Sequence, residues 1–257
     1  MDLSTVIGLI VCFGGFLGGF LMEGGSLGQL VQLSAAAIVF GGTFGSGITS
    51  APLAHTVGLP MIVKNAFFRK QHNLQETIEL FSKFAERARR DGLLVLEEDI
   101  RTLDNAFLKG GIQLVIDGTD TDLVKDILRT EVAFIEDRHS AGAKYFENLG
   151  GFAPTFGIIG TVMGLVHVLG NLSDPGSLGP AIAAAFIATL YGVVSANAVF
   201  LPVANKLKVA SAEEALNMEM MIEGILSIQA GDNPRIVKEK LYAFLPPKMR
   251  AKEPEGE

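Results

Sequence analysis

Apolar residues in this chain are gathered into four long runs, and the polar sequence between them is spaced as amphipathic helices. Leu3–Met22 carries no charge and is close to the ~20 residues that a helix needs to cross a bilayer. Gly8, Gly14, Gly15, Gly18 and Gly19 stud it, and glycines at such spacing let helix backbones approach closely in lipid, so it is expected to be a packing helix. A glycine-rich polar turn, residues 23–28, precedes a second run from Leu30 to about Ile48, in which Gln32, Ser34, Thr43 and Ser46 are polar but uncharged. The third and fourth runs are GFAPTFGIIGTVMGLVHVLGNL (151–172) and LGPAIAAAFIATLYGVVSANAVFLP (178–202). Each is long enough to span, and the turn between them has no lysine or arginine.

The remaining sequence reads differently. Residues 52–68 mix Leu53, Val57, Met61, Phe67 and Phe68 with His55, Lys64 and Asn65, the pattern of a helix lying in the headgroup region and ending in Lys64, Arg69 and Lys70. Leu74, Ile78, Phe81, Phe84, Ala85 and Ala88 recur at three and four residues, which predicts a helix to about Arg90 with one apolar face. Gly92 should break it, and Leu93, Leu94 and Leu96 begin a short helix to about Phe107, closed by a turn at Lys109, Gly110 and Gly111. A longer helix is expected from an N-cap at Asp120 or Thr121 to about Asn148. Beyond Pro202 a helical stretch runs to Gln229 and Gly231 stops it. Asn233 and Pro234 then open a last helix to Leu241, followed by a charged, proline-rich tail.

Charge sharpens this division. All 21 Lys and Arg lie between Lys64 and Lys144 or between Lys206 and Lys252, and positive-inside bias places both blocks, and so both termini, in the cytoplasm. The expected fold is an all-α integral membrane protein with four transmembrane helices and a cytoplasmic helical domain built from the large loop and the C-terminal segment. Its divisions are 1–51 (first two spans), 52–150 (interfacial helix and cytoplasmic domain), 151–203 (last two spans) and 204–257 (C-terminal helices and tail). With no basic stripe interleaved with aromatics, nucleic acid is not an expected partner; membrane lipid is.

Little in the chain suggests bond-making chemistry. Its one cysteine, Cys12, sits in the first apolar run, and its four histidines are scattered. The glycines lie in apolar runs and open no phosphate-binding turn. Asp120, Asp122 and Glu131 imitate part of a calcium loop, but Val124 and Lys125 occupy positions where a ligand and a glycine are needed. No cofactor or metal site is expected. Within the last two runs, Gly157, Gly160 and Gly164 make a small face, as do Ala184, Ala188 and Gly192, both suited to helix packing. Thr161 and Thr189 fall near mid-span. Such hydroxyls either return to their own helix carbonyls or line a pathway. Pro154 and Pro202 bracket the hairpin at one height, where a proline bends or ends a helix.

Several stretches together resemble the A subunit of the bacterial flagellar motor stator, the MotA/PomA family. They are RRDGLLVLEE (89–98), APTFGIIGTVMGL (153–165), ATLYG (188–192) with Asn197 and Pro202, and GILSIQAGDNP (224–234). The resemblance covers nearly the whole chain. It implies an ion-driven motor component of the bacterial inner membrane, not an enzyme, in which five A subunits ring a dimer of a single-span B subunit that supplies the ion-binding aspartate. It further implies that Thr161 and Thr189 face the pore and that Pro154 and Pro202 couple ion flow to movement. Arg89, Arg90, Glu97 and Glu98 would meet the rotor protein FliG.

The threonine pair resembles the sodium-driven branch, so sodium is expected over protons as the transported ion. The related energising rings of outer-membrane transport are the nearest alternative; their three spans and long N-terminal region contrast with the four runs and early start here. A solute transporter would show charged or broken-helix contacts at mid-membrane, and a membrane scaffold would only bind partners through its cytoplasmic helices.

Overall fold

The computed structural model describes residues 3–52, 56, 58, 74–170 and 175–250, and every regular element among them is helical. The interfacial helix expected over 52–68, with His55 and the Lys64, Arg69, Lys70 cluster, falls outside the described residues apart from its first residue and positions 56 and 58. So do residues 171–174 of the turn between the last two runs and the tail from 251. The chain divides into two compact units, Met1–Arg69 with His139–Ala210, and Lys70–Arg138 with Ser211–Glu257.

The first unit holds α1 (Leu3–Met22), a 3-10 turn (Leu27–Leu30), α2 (Leu33–Thr49), the later part of α6 (Thr121–Gly170), α7 (Pro175–Ser195), a π turn (Ala196–Phe200) and the start of α8 (Leu201–Gln229). Three helical segments are long and apolar enough to cross a membrane: Leu3–Met22, Thr121–Gly170 and Leu178–Gln229. The 17 residues of α2 make a shorter apolar helix. No residue of α1 is buried within the chain, and a Cβ added at any of its five glycines would meet nothing within 4 Å. The packing face read from those glycines is therefore open in the single chain. By contrast, α2 buries a stripe of Ala35, Val39, Thr43 and Gly47 in steps of four. Ala35 and Val39 pack with Ala188 of α7, joined by Ile187 and Tyr191.

Helix α6 runs unbroken through residues 150 and 151, where polarity alone marks a boundary. Backbone hydrogen bonds are satisfied inside a helix whatever its side chains face, so a change from polar to apolar surroundings does not interrupt it. Pro154 costs one such bond and the helix closes around it. The passage from α7 to α8 is likewise helical throughout, with a π turn in place of a loop.

The second unit is built on α3 (Leu74–Asp91), whose buried residues Ile78, Phe81, Phe84 and Ala85 are those the spacing predicts. After Gly92, at φ 85°, come a 3-10 turn (Leu93–Val95) and α4 (Leu96–Arg101). The chain does not continue as one helix to Phe107. Asn105 caps a separate helix, α5 (Ala106–Ile116), by accepting from the Leu108 amide at 3.0 Å, and Lys109, Gly110 and Gly111 lie inside it instead of forming a turn. The reason is tertiary. A Cβ on Gly111 would stand 2.4 Å from Ile225 Cδ1, so glycine allows α5 to seat on α8, and that burial outweighs a helix-propensity cost of ~1 kcal/mol. Asp120 caps α6 as expected, accepting from the Asp122 amide at 3.0 Å. The core gathers Phe81, Leu96, Ile100, Leu108, Ile112, Leu128, Met220 and Ile225.

Gly231, at φ 72°, ends α8, and Asn233 caps α9 (Pro234–Tyr242), accepting from the Arg235 amide at 3.0 Å; a short α10 (Pro247–Arg250) follows. Ion pairs fasten α9 in place: Lys238 to Glu79 at 2.8 Å, and Lys240 to Asp232 at 2.9 Å and to Glu223 at 3.4 Å. The hydrogen bond from Lys240 holds Asp232 below its ordinary value of 3.8, and the same bond raises Lys240 above 10.5. A carboxylate with a lowered pKa stabilises the fold above its unfolded value and loses that contribution as pH falls through the folded one. A lysine with a raised pKa contributes below its unfolded value and loses it as pH rises through the folded one. Both groups are partly exposed, so the pair should contribute no more than ~1 kcal/mol. Asp232→Asn is expected to lower stability across the range between these two values. In unfolding curves against pH, the gap from wild type should close at both the acid and the alkaline end.

Candidate functional site

Two features of the first unit meet at the hairpin of α6 and α7. The first is backbone proximity. A Cβ on Gly192 would lie 2.4 Å from the Ala153 carbonyl oxygen, and one on Gly157 would lie 3.0 Å from the Ala188 carbonyl oxygen and 3.1 Å from Thr189 Cα. At Gly160 and Gly164 the nearest atoms are the Cβ atoms of Ala188 (2.7 Å) and Ala185 (2.6 Å). The small faces read from the sequence thus pack on each other within one chain, with one change of register. Ala185, not Ala184, meets Gly164. Steps of four drift by about 40° per step on a helix of 3.6 residues per turn, so a continuous contact line alternates steps of three and four, here 185, 188 and 192.

The second feature is polar. Thr161 Oγ1 and Thr189 Oγ1 lie 2.5 Å apart, across the two helices. Thr161 is also within 3.1 Å of the Gly157 carbonyl and 3.0 Å of the Ala185 carbonyl, and Thr189 within 3.4 Å of the Gly157 carbonyl. Two hydroxyls carry two protons, fewer than these contacts can use, so hydroxyl lone pairs and carbonyl oxygens are left in excess. The bond to the Gly157 carbonyl is the own-helix return that a mid-span threonine commonly makes; the cross-helix contacts add to it. Residues 151–170 and 175–200 contain no Asp, Glu, Lys or Arg, and no group of three or more metal-ligating side chains occurs among the described residues. The arrangement offers neutral oxygens and no fixed charge.

Each proline removes one donor from the helix ladder. Pro154 has no N–H to give the Gly150 carbonyl. At the α7–α8 junction the Leu201 amide donates to the Ala196 carbonyl, five residues back, and Pro202 has no N–H with which to continue the ladder. The Asn197 side chain donates to the Val193 carbonyl at 2.9 Å. These two places touch through their neighbours: a Cβ on Gly150 would be 2.6 Å from Leu201 Cδ2, and Leu149, Ala153, Ala196 and Phe200 share one small core. Sequence reading found the prolines but missed the Gly150–Leu201 contact and the π turn. It also missed the role of Tyr191, whose hydroxyl donates to the Leu30 carbonyl and accepts from the Gln32 amide at 3.1 Å, tying the chain before α2 to α7. Tyrosine as one of the few polar side chains in an apolar run was the available signal.

In the second unit, Arg89, Arg90, Glu97 and Glu98 are all exposed, around the Gly92 break. Arg90 chelates Asp91 at 3.0–3.2 Å; this hydrogen bonding raises the arginine pKa and lowers that of Asp91. Glu97 pairs with Arg101 at 3.0 Å, and Arg87 with Asp99, which links α3 to α4. Arg89 and Glu98 make no ion pair among the described residues.

Comparison with known proteins decides the family. Residues 99–220 match the MotA/TolQ/ExbB proton channel family and residues 6–92 match Motility protein A N-terminal. The chain is 39% identical over 253 residues to Motility protein A of Bacillus subtilis (strain 168), covering 98% of this chain and 94% of the relative. The chain belongs to the MotA/PomA family of flagellar stator subunits. Chemotaxis protein PomA of Vibrio alginolyticus is 37% identical, covering 98% of this chain and 99% of PomA. Among solved structures, the flagellar MotAB stator complex from Bacillus subtilis contains a chain that matches with a TM-score of 0.93 at 38% identity, covering 98% of this chain and 99% of that one. Membership of the MotA/PomA family and the apolar helices together make this a membrane protein.

Backbone contact in the hairpin has a direct consequence. Gly192→Ala sets a methyl group against a carbonyl that no side-chain rotation can move, and overpacking of this kind costs ~1–3 kcal/mol or more. Gly41→Ala, with nothing within 4 Å, should cost nothing. Thermal denaturation of the two detergent-purified variants should show a lowered midpoint for the first alone.

Proposed function

We propose that the chain is the ring-forming A subunit of a flagellar stator, five copies of which surround a dimer of a single-span B subunit bearing an aspartate. Ions that pass this aspartate turn the ring, and the ring drives the rotor protein FliG. The observation that carries the reading is the chemistry of the hairpin: two apolar helices packed backbone to backbone, with a paired hydroxyl at mid-length and no carboxylate. Ion passage through a membrane calls for a buried titrating carboxylate, and a hairpin that offers only neutral oxygens needs a partner that brings one. That a relative was solved as a MotAB stator complex supports the same partner.

In this reading α2 is the fourth span, at about 26 Å of helix. The charge blocks orient both termini and the second unit toward the cytoplasm of a bacterium, with the membrane being the inner one. The π turn and the two prolines are where the hairpin bends during the cycle. Shared ancestry with the energising rings, implied by the match over 99–220, favours the same ring principle there; the match over 6–92 supports the motility branch.

Sodium is the proposed ion, because it must exchange water for oxygen ligands and Thr161, Thr189 and the Gly157 and Ala185 carbonyls cluster oxygens without charge. Cells that swim with this stator should keep swimming when a proton uncoupler is added in sodium medium, as tracked by swimming speed. Arrest under the uncoupler would overturn sodium in favour of the proton.

Rotor contact is assigned to the exposed charges around Gly92. Arg90 and Glu97 are engaged by neighbours, leaving Arg89 and Glu98 to meet a partner. Arg89→Glu and Glu98→Lys are each expected to lower torque on a tethered motor while the amount of stator complex in the membrane stays unchanged. Normal torque in both would remove these residues from the rotor contact.

A further inference from the structure

Among the described residues of the first unit, the hydroxyls of Thr43, Thr56 and Tyr145 are buried without a protein partner, and two of them lie close together. Thr43 is fully buried on α2 and Tyr145 is 3% exposed on α6, and neither Thr43 Oγ1 nor Tyr145 Oη has a hydrogen-bond partner among the described residues. We propose that Thr43 and Tyr145 together bind one ordered water molecule in the interface between α2 and α6.

Position supports a shared ligand. Thr43 and Gly47 are consecutive members of the buried stripe of α2. A Cβ on Gly47 would lie 3.0 Å from Tyr145 Oη and 2.7 Å from Leu149 Cδ2, so the tyrosine hydroxyl rests over the α2 backbone one turn from Thr43, with a leucine closing that end. Four residues of helix rise by about 6 Å. A water that bonds on both sides at ~2.8 Å can bridge oxygens up to about 5.6 Å apart, which is of the order of this one-turn spacing.

Chemistry supports water over other occupants. Thr49, at the end of the same helix, and Ser50, which caps it, return their hydroxyls to the Gly45 and Gly47 carbonyls at 2.9 and 3.0 Å, whereas Thr43 makes no such return. A dry interface would leave two buried hydroxyls unsatisfied, which natural interiors avoid. Neither hydroxyl brings charge, and no group of three or more metal-ligating side chains occurs among the described residues, so the pair gives a cation little to bind. Water is small, donates and accepts, and is retained where two to four polar groups face it. Bound there, it pins the shorter apolar helix to the long helix that carries Pro154 and Thr161.

A double-mutant cycle on the full-length chain, purified with its B subunit, separates a shared water from two idle hydroxyls. Thr43→Val and Tyr145→Phe each strand the water and should each lower the thermal midpoint by about 2–4 °C. The double variant should fall no further than the worse single variant, because one ligand is lost once. Thr43→Ser, which keeps the hydroxyl, should stay at the wild-type midpoint. Unchanged or raised midpoints in the single variants, or additive losses in the double, would overturn the proposal. A high-resolution map of the wild-type complex gives a test that needs no variant. Density within hydrogen-bond reach of both oxygens supports the water; a dry gap or a direct bond between the hydroxyls refutes it.

Discussion

The membrane hairpin depends on contact between bare backbones. Where Gly192 meets the Ala153 carbonyl, no side chain separates α6 from α7, and the same closeness recurs at Gly157 against Ala188 and Thr189. In lipid no hydrophobic effect presses helices together, so close packing and buried polar contacts must hold them. Closeness supplies both. It brings the Thr161 and Thr189 oxygens to 2.5 Å across the helices, and with larger residues at 157 or 192 that pair would be pushed apart. The packing glycines and the polar threonines are therefore one device: small residues set the distance at which the hydroxyls act on each other.

The hairpin also has places where its backbone ladder is weakened. Pro154 and Pro202 remove backbone donors, the π turn stretches the ladder just before Pro202, and Leu201 fits over Gly150 so that the two weakened regions lie together. The small core of Leu149, Ala153, Ala196 and Phe200 packs at this same junction.

The second unit works by the opposite physics. Its helices hold through a large apolar core with Phe81 and Ile225 at its centre, and its charges sit outside. Arg87 and Asp99 tie α3 to α4 across the Gly92 break, so the exposed Arg89 and Glu98 are presented from a fixed frame instead of a loose loop. Lys238 and Lys240 fasten α9 similarly, with exposed pairs that fix geometry more than they add stability.

Local chemistry was readable directly. The apolar face of α3, the caps at Asp120 and Asn233, the ends at Gly92 and Gly231, and the small faces of the hairpin each follow from residues a few positions apart. Their forces act within a turn or two of the chain, so periodicity and capping rules are enough. What only the tertiary structure decided involves residues far apart in sequence. Gly110 and Gly111 look like a turn until Ile225 arrives to fill the space that Gly111 leaves, and Ala185 replaces Ala184 because the partner helix selects the contact line. The Gly150–Leu201 contact, the anchorage of Leu30 by Tyr191 and the unpaired hydroxyls of Thr43 and Tyr145 are likewise facts of packing. A side chain's partners across a helix interface depend on crossing geometry, and one chain position carries no record of what another will place opposite it.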